Sequence, residues 1–205
     1  MICRRPIPQP AKFEIGRGEH GVAVVRRATA IDAARIAELH TASWRSAYKD
    51  ILGSEYLETQ VELDHATMWR ARLTDEPSSL RSLLLVAEEG TTLVGFIYAI
   101  LASDPTWGTL VENLHVRPEF RSKGFGSLLM HRLGQLCIEQ GIEGGIFLWV
   151  YNKNIKARRF YAGHGAQVRE TNQALSPDGL VHDDIRLTWN SWHDLLNASG
   201  GTLAP

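Results

Sequence analysis

Val116 to Leu133 reads VRPEFRSKGFGSLLMHRL. Within it, Arg121–Gly126 (RSKGFG) places two glycines between an apolar strand-like run and a helix-like run. The preceding run, Leu110–Val116, is closed by Arg117–Pro118. From Phe125 to Gln140 the apolar residues Phe125, Leu128, Leu129, Leu133, Leu136 and Cys137 keep helical spacing. Ile146–Tyr151 (IFLWVY) then reads as a strand buried on both faces. Strand, helix and strand in this order predict a parallel, right-handed crossover. A helix N-terminus carries unpaired N–H groups and partial positive charge, and glycine lets them approach an anion. Residues 114–134 hold Arg117, Arg121, Lys123 and Arg132 against Glu119 alone. The whole chain has a net charge of −1, so the basic excess is local and suits an anionic ligand.

Outward from this unit, Val22–Arg26 predicts a first strand, and Thr29 caps a helix running to about Tyr48 with Asp32 at its third position. A second helix is expected over Glu62–Leu73, stopped by Asp75–Pro77. Ser82–Glu88 and Leu93–Ala102 form a hairpin about Glu89–Gly90. Asn154–Gly163 reads as a short basic helix, followed by strands in Ala166–Glu170 and Asp184–Trp189. Residues 1–20 and 193–205, rich in Pro, Gly and small residues, read as disordered or flexible tails around a single domain over 21–192.

Other chemistries find no motif. GxxxxGK[ST] is absent, and Leu129 stands where a dinucleotide fingerprint needs its third glycine. The eight histidines show no metal-ligand spacing, and there is no GxSxG elbow. The two cysteines, Cys3 and Cys137, form no disulfide framework, which suits a reducing cytoplasm. No stretch has the length of a membrane span, and no bulk charge favours nucleic acid.

The paired stretches NLHVRPEFRSKGFGSLLMHRL and LWVYNKNIKARRFYAGHGA resemble the general-control-related N-acetyltransferase (GNAT) superfamily. The match is Val116, then Arg121, Gly124 and Gly126, then Asn154, Ala157, Phe160, Tyr161 and Gly165, with Ala166 departing from the usual Phe. The resemblance implies a mixed, mostly antiparallel α/β sheet of about seven strands, flanked by about four helices. It also implies acetyl-CoA as co-substrate, with no metal. Arg121, Ser122, Lys123, Gly124, Phe125, Gly126 and Ser127 would hold the pyrophosphate. The strand edge at Leu114, His115 and Val116, with Asn154, would hold the pantetheine. Tyr161 stands at the family's general-acid position. Strand alternation puts Glu112 on one face with Leu114 and Val116, as a candidate base. Trp44 and Tyr48 fall where relatives build the acceptor wall. The implied activity is N-acetyl transfer to a small-molecule or peptide amine, by direct attack and in a monomer or homodimer. A non-catalytic acyl-CoA sensor on the same fold is the alternative, since fold does not fix function.

Overall fold

The computed structural model describes residues 13–18, 21–74 and 81–199. Eight strands form one sheet: β1 (Phe13–Gly18), β2 (Gly21–Arg27), β3 (Ser82–Glu89), β4 (Thr92–Asp104), β5 (Gly108–Val116), β6 (Ile146–Tyr151), β7 (Gln167–Leu175) and β8 (Val181–Trp189). Their spatial order is β1-β2-β3-β4-β5-β6-β8-β7. Among the described residues only β5 and β6 run parallel, joined by α4 (Phe125–Glu139), and all other neighbours are antiparallel. The remaining helices are α1 (Ala33–Ala47), α2 (Ser54–Thr59), α3 (Val61–Thr74), α5 (Ile155–Gly163) and α6 (Trp192–Ser199).

The sheet is covered on both faces, which explains the unbroken apolar run of β4. On one face Ile97, Ala99 and Leu101 join Val111, Leu128, Leu129 and Leu133 beneath α4. On the other, Phe96 and Tyr98 join Ile36, Leu39 and Trp69 from α1 and α3. A buried ionic knot fixes α1 to the sheet. Asp32, fully buried, accepts from Arg26 at 2.7 and 2.8 Å and from the Thr29 amide at 2.9 Å. Arg26 and Arg35 both reach Glu88 at 2.8 Å. Thr29 and Asp32 thus cap the helix entry as their spacing predicts, with a 3-10 turn at Ala30–Asp32 ahead of α1.

Three expectations change. Phe13–Gly18 is an edge strand rather than tail: it pairs antiparallel with β2 and is the eighth strand. Residues 1–12 and 19–20 lie outside the described residues, as does the proposed helix stop at 75–77. Residues 193–199 belong to α6, because Trp192 and Leu195 are buried against α4. Gly134 on α4 leaves the space, since a Cβ there would stand 3.0 Å from Leu196 Cδ2. The last two strands are longer than the short runs predicted and form a hairpin over Gln167–Trp189.

The decisive local feature lies between β5 and β6. They pair only at Thr109 with Ile146 and Leu110 with Phe147. Beyond that the two strands diverge. One cause is a bulge in β5: Val111 faces Ala99 and Asn113 faces Tyr98, so Glu112 is an extra residue without a partner on β4. The vertex is pinned by glycine. Gly108 has φ +82°, and a Cβ there would overlap the Gly145 carbonyl, which accepts from Thr109 N at 2.9 Å. Gly108→Ala is expected to lower unfolding free energy by about 3 kcal/mol or more, combining backbone strain with steric overlap. Gly141→Ala, at φ +65° in open space, meets the strain alone and should cost about 1 kcal/mol. Urea titration of both variants measures the difference; equal costs would refute the pinned vertex.

Candidate active site

The open end of the β5–β6 divergence faces the Arg121–Gly126 turn and the N-termini of α4 and α5. Beyond Leu110, the edge of β5 turned toward β6 has no strand partner, and Leu114, His115 and Val116 lie along it. The turn that follows is strained in a defined way. Ser122 has φ +63° and Gly124, the residue before α4, has φ +84°. Two left-handed residues bracketing Lys123 curl the backbone so that its amides converge, as in anion-binding nests. At Gly124 the demand is conformational, because a Cβ would meet nothing within 4 Å. At Gly126 it is steric: a Cβ would come within 3.2 Å of the Phe160 ring. That close approach seats α5 on the first turn of α4. Lys123 Nζ lies 4.7 Å from the centre of the Phe120 ring, so its charge sits over the turn.

Other predicted residues are committed elsewhere. Arg121 bonds Ser46 Oγ at 2.9 Å and Ser43 Oγ at 3.2 Å, tying the turn to α1. The Ser127 side chain meets His164 Nε2 at 2.9 Å; His164 Nδ1 lies 2.8 Å from the Phe160 carbonyl. Only the backbone of Ser127 remains for a ligand. Asn154 caps α5, its Oδ1 accepting from Ala157 N at 3.2 Å, which leaves its amide donors.

Tyr161 is buried in α5, its ring edge-on to Trp189 at 6.2 Å. Burial drives its phenol well above the ordinary value, so it stays protonated and keeps a proton to donate. Its hydroxyl has no hydrogen-bond partner among the described residues. Tyr48 lies close enough to feel it: burial first, then the nearby phenols of Tyr161 and Tyr151, push Tyr48 up as well. Tyr48 packs edge-on to Trp44 at 5.1 Å and to Tyr151 at 5.2 Å. Trp44, Tyr48 and Tyr151 thus gather in one aromatic cluster with Tyr56 and Leu57 of α2.

Glu112 is corrected in its placement. The bulge breaks the alternation, so Leu114 and Val116 pack beneath α4, while Glu112 meets α3 on the other side. There Arg72 donates to its Oε1 at 2.6 Å, with the guanidinium over Trp69 and Tyr98. His115 faces α1, where Ser43 Oγ lies 3.0 Å from its Nδ1.

His115 also belongs to a cluster that its scattered positions hid. His40 stacks on His65 at 3.6 Å and lies 4.4 Å from His115. Trp69 Nε1 donates to His40 Nδ1 at 3.1 Å, and Thr41 Oγ1 meets His65 Nδ1 at 3.0 Å. Among the described residues no group of His, Cys, Asp or Glu is arranged to hold a metal. Burial lowers all three histidines, His65 to about 4 and His115 to about 3. Their folded values lie below the unfolded value of about 6.5, so stability is full above pH 6.5 and falls as pH drops toward 4. His65 alone corresponds to roughly 3 kcal/mol at 1.36 kcal/mol per unit. Calorimetric Tm values at pH 7.5, 5.5 and 4.5 should decline steadily; a flat Tm would mean the rings are not held neutral by burial.

A sheet opened between two parallel strands, with a glycine-led helix at the mouth, defines the N-acetyltransferase class of fold. The acetyltransferase (GNAT) family model matches residues 34–166, and the chain belongs to that family. It is similar to the uncharacterized N-acetyltransferase YuaI of Bacillus subtilis (strain 168), 23% identical over 167 residues, 80% of this chain and 91% of that protein. It is also similar to the spermidine N(1)-acetyltransferase of Thermoplasma acidophilum, 25% identical over 152 residues, 72% of this chain and 90% of that one. Among solved structures, the PaiA N-acetyltransferase of Thermoplasma acidophilum in complex with coenzyme A superimposes with a TM-score of 0.68. Identity there is 22%, covering 82% of this chain and 98% of the other. No helix among the described residues is long and apolar enough to cross a membrane.

Proposed function

We propose that the chain transfers an acetyl group from acetyl-CoA to a primary amine within one ternary complex. The observation that carries this reading is the unpartnered β5 edge ending at the curled Arg121–Gly126 turn. The spacing of such a site suits a ligand with amides at one end and phosphates at the other. The coenzyme, when bound, supplies the acetyl thioester. Pantetheine amides would complete the β5 edge at Leu114, His115 and Val116 as an added strand does. Backbone N–H groups of Lys123, Gly124, Phe125, Gly126 and Ser127 would hold the pyrophosphate, with Lys123 adding charge. Arg121 and Ser122 would shape this turn, and the Asn154 amide would reach the pantetheine. The Leu114 N–H is the proposed oxyanion donor.

Tyr161 is the proposed general acid, delivering its proton to the departing thiolate. A phenol held in its protonated form, on a ring packed into the core, suits that role. Glu112 is a carboxylate beside the same strand, its charge already matched by Arg72. A covalent route through cysteine finds no support at Cys137, since burial pushes its thiol up to about 12. Trp44 and Tyr48 line the acceptor side. The acceptor is a free amine. Spermidine, the substrate named for one relative, heads the panel to be tried.

Calorimetric titration with acetyl-CoA should give saturable binding, and a free-thiol assay over an amine panel should show turnover. Tyr161→Phe is expected to lower kcat at least tenfold while the acetyl-CoA Kd changes less than twofold. Unchanged kcat would remove Tyr161 from the acid role. Acetyl-CoA binding without any turnover would instead support a sensing module, and absence of binding would refute the reading.

A further inference from the structure

Asp184 stands out as a carboxylate with no assigned role. It lies on β8 directly opposite Tyr151 on β6. Its Oδ1 is buried and has no hydrogen-bond partner among the described residues. The other acids named at the site are engaged. Asp178 accepts from the Gly53 amide at 2.9 Å and meets His182 Nε2 at 3.0 Å. Glu112 is bound by Arg72 at 2.6 Å. An orphaned carboxylate oxygen beside aromatic rings costs stability, and such a cost persists where chemistry uses it.

Its neighbours connect it to the reaction. The charge of Asp184 acts on both Tyr48 and Tyr151, and Tyr48 in turn feels Tyr161. Across the strand pair Asp184 faces Tyr151, whose ring packs on Tyr48 at 5.2 Å, where β6 ends at the wide end of the divergence. Burial raises the Asp184 carboxyl above its ordinary range, His182 opposes this and Asp183 adds to it. A raised carboxylate is a better proton acceptor than an ordinary one. Alongside, a cleft of about 270 Å³ opens between Ile51 and the β7–β8 hairpin, lined by Tyr151, Gln173, His182 and Asp183, with Lys153 also on its wall. An alkylamine fits such a cleft in size.

We infer that Asp184, rather than Glu112, takes the proton from the acceptor amine. The inference rests on the acetyl-transfer reading above. An amine with a pKa of about 10.4 arrives as an ammonium ion at neutral pH. One N–H bond breaks and the proton passes to Asp184. The freed lone pair forms the C–N bond to the acetyl carbon as the C–S bond breaks, and Tyr161 protonates the sulfur. The products are the acetylated amine and free thiol. After the C–N bond forms, the nitrogen loses its second proton, which restores the Tyr161 phenol through solvent, and Asp184 releases its own proton to solvent, so one proton is produced per turnover.

The test compares Asp184→Asn and Glu112→Gln with the wild type from pH 6.5 to 10, using spermidine and simple alkylamines with acetyl-CoA. Asp184→Asn should lower kcat/KM about 100-fold at pH 7, with the acetyl-CoA Kd changed less than twofold. The deficit should shrink toward pH 10, where water itself deprotonates the amine. Glu112→Gln should stay within about threefold of wild type. A deficit equal at every pH, or a larger loss in Glu112→Gln, overturns the inference. If Asp184→Asn loses its thermal transition, Asp184→Ala with added formate replaces it; restored turnover supports the role, and its absence overturns it. If no amine in the panel reacts, the slow hydrolysis of acetyl-CoA is compared instead, and a rate untouched by Asp184→Asn overturns it. Failure of wild type to bind acetyl-CoA refutes the transfer reading itself; binding with full Asp184→Asn activity refutes only Asp184.

Discussion

The failure of β5 and β6 to remain paired is the constraint on which the rest of the molecule depends. Two parallel strands in a covered sheet ordinarily hydrogen-bond along their length, because buried N–H and C=O groups left alone are costly. Here the pairing stops after Leu110 and Phe147. Gly108 and Gly145 hold the vertex together, and the bulged Glu112 bends β5 away. The cost of the opened ladder is offset elsewhere, in β4, which is paired on both sides and packed on both faces. The opening is therefore a built feature of the sheet. It exposes main-chain groups at a place where a ligand can complete the ladder.

The helix positions follow from the same opening. Arg121 cannot be counted simply as a phosphate ligand, since it fastens the turn to Ser43 and Ser46 on α1. That fastening holds Ser122 and Gly124 in their left-handed conformations, and the conformations aim the amides. His164 does equivalent work from the other side, joining Ser127 of α4 to the Phe160 carbonyl of α5. Charge brings an anion toward the turn, while backbone geometry fixes where it sits. The histidine stack beneath α1 is a further rigid support, with neutral rings where charged ones would repel.

Much of this was legible in the sequence, and the limits have physical causes. The crossover unit was readable because its strand and helix periods are unmixed and its glycines sit at their boundary. The motif positions carried the turn and the start of α5 near Asn154, while the capping role of Asn154 emerges only from the fold. Phe13–Gly18 was not legible because a short edge strand with four charged or glycine positions of six lacks an alternating apolar signal. The helix after Trp189 was masked by the small residues beyond it, although Trp192 and Leu195 at helical spacing were the signal to weigh. Glu112 was placed on the wrong face because alternation assumes no bulge, and nothing in VENLHV announces one.

The same reasoning explains why the two carboxylates at this site carry different weight. Glu112 was conspicuous in sequence, standing inside a strand beside the motif. Once folded, it is matched by Arg72, and Arg72 is itself held over Trp69 and Tyr98. This arrangement links α3, β4 and β5 on the face away from α4. Asp184 was inconspicuous, the third of His182–Asp183–Asp184 at a strand entry. Only pairing with β6 places it opposite Tyr151, a member of the aromatic cluster. A residue that shapes the opening and a residue left unpaired within it serve different purposes. The partner each has found in the fold distinguishes them, and sequence neighbours do not.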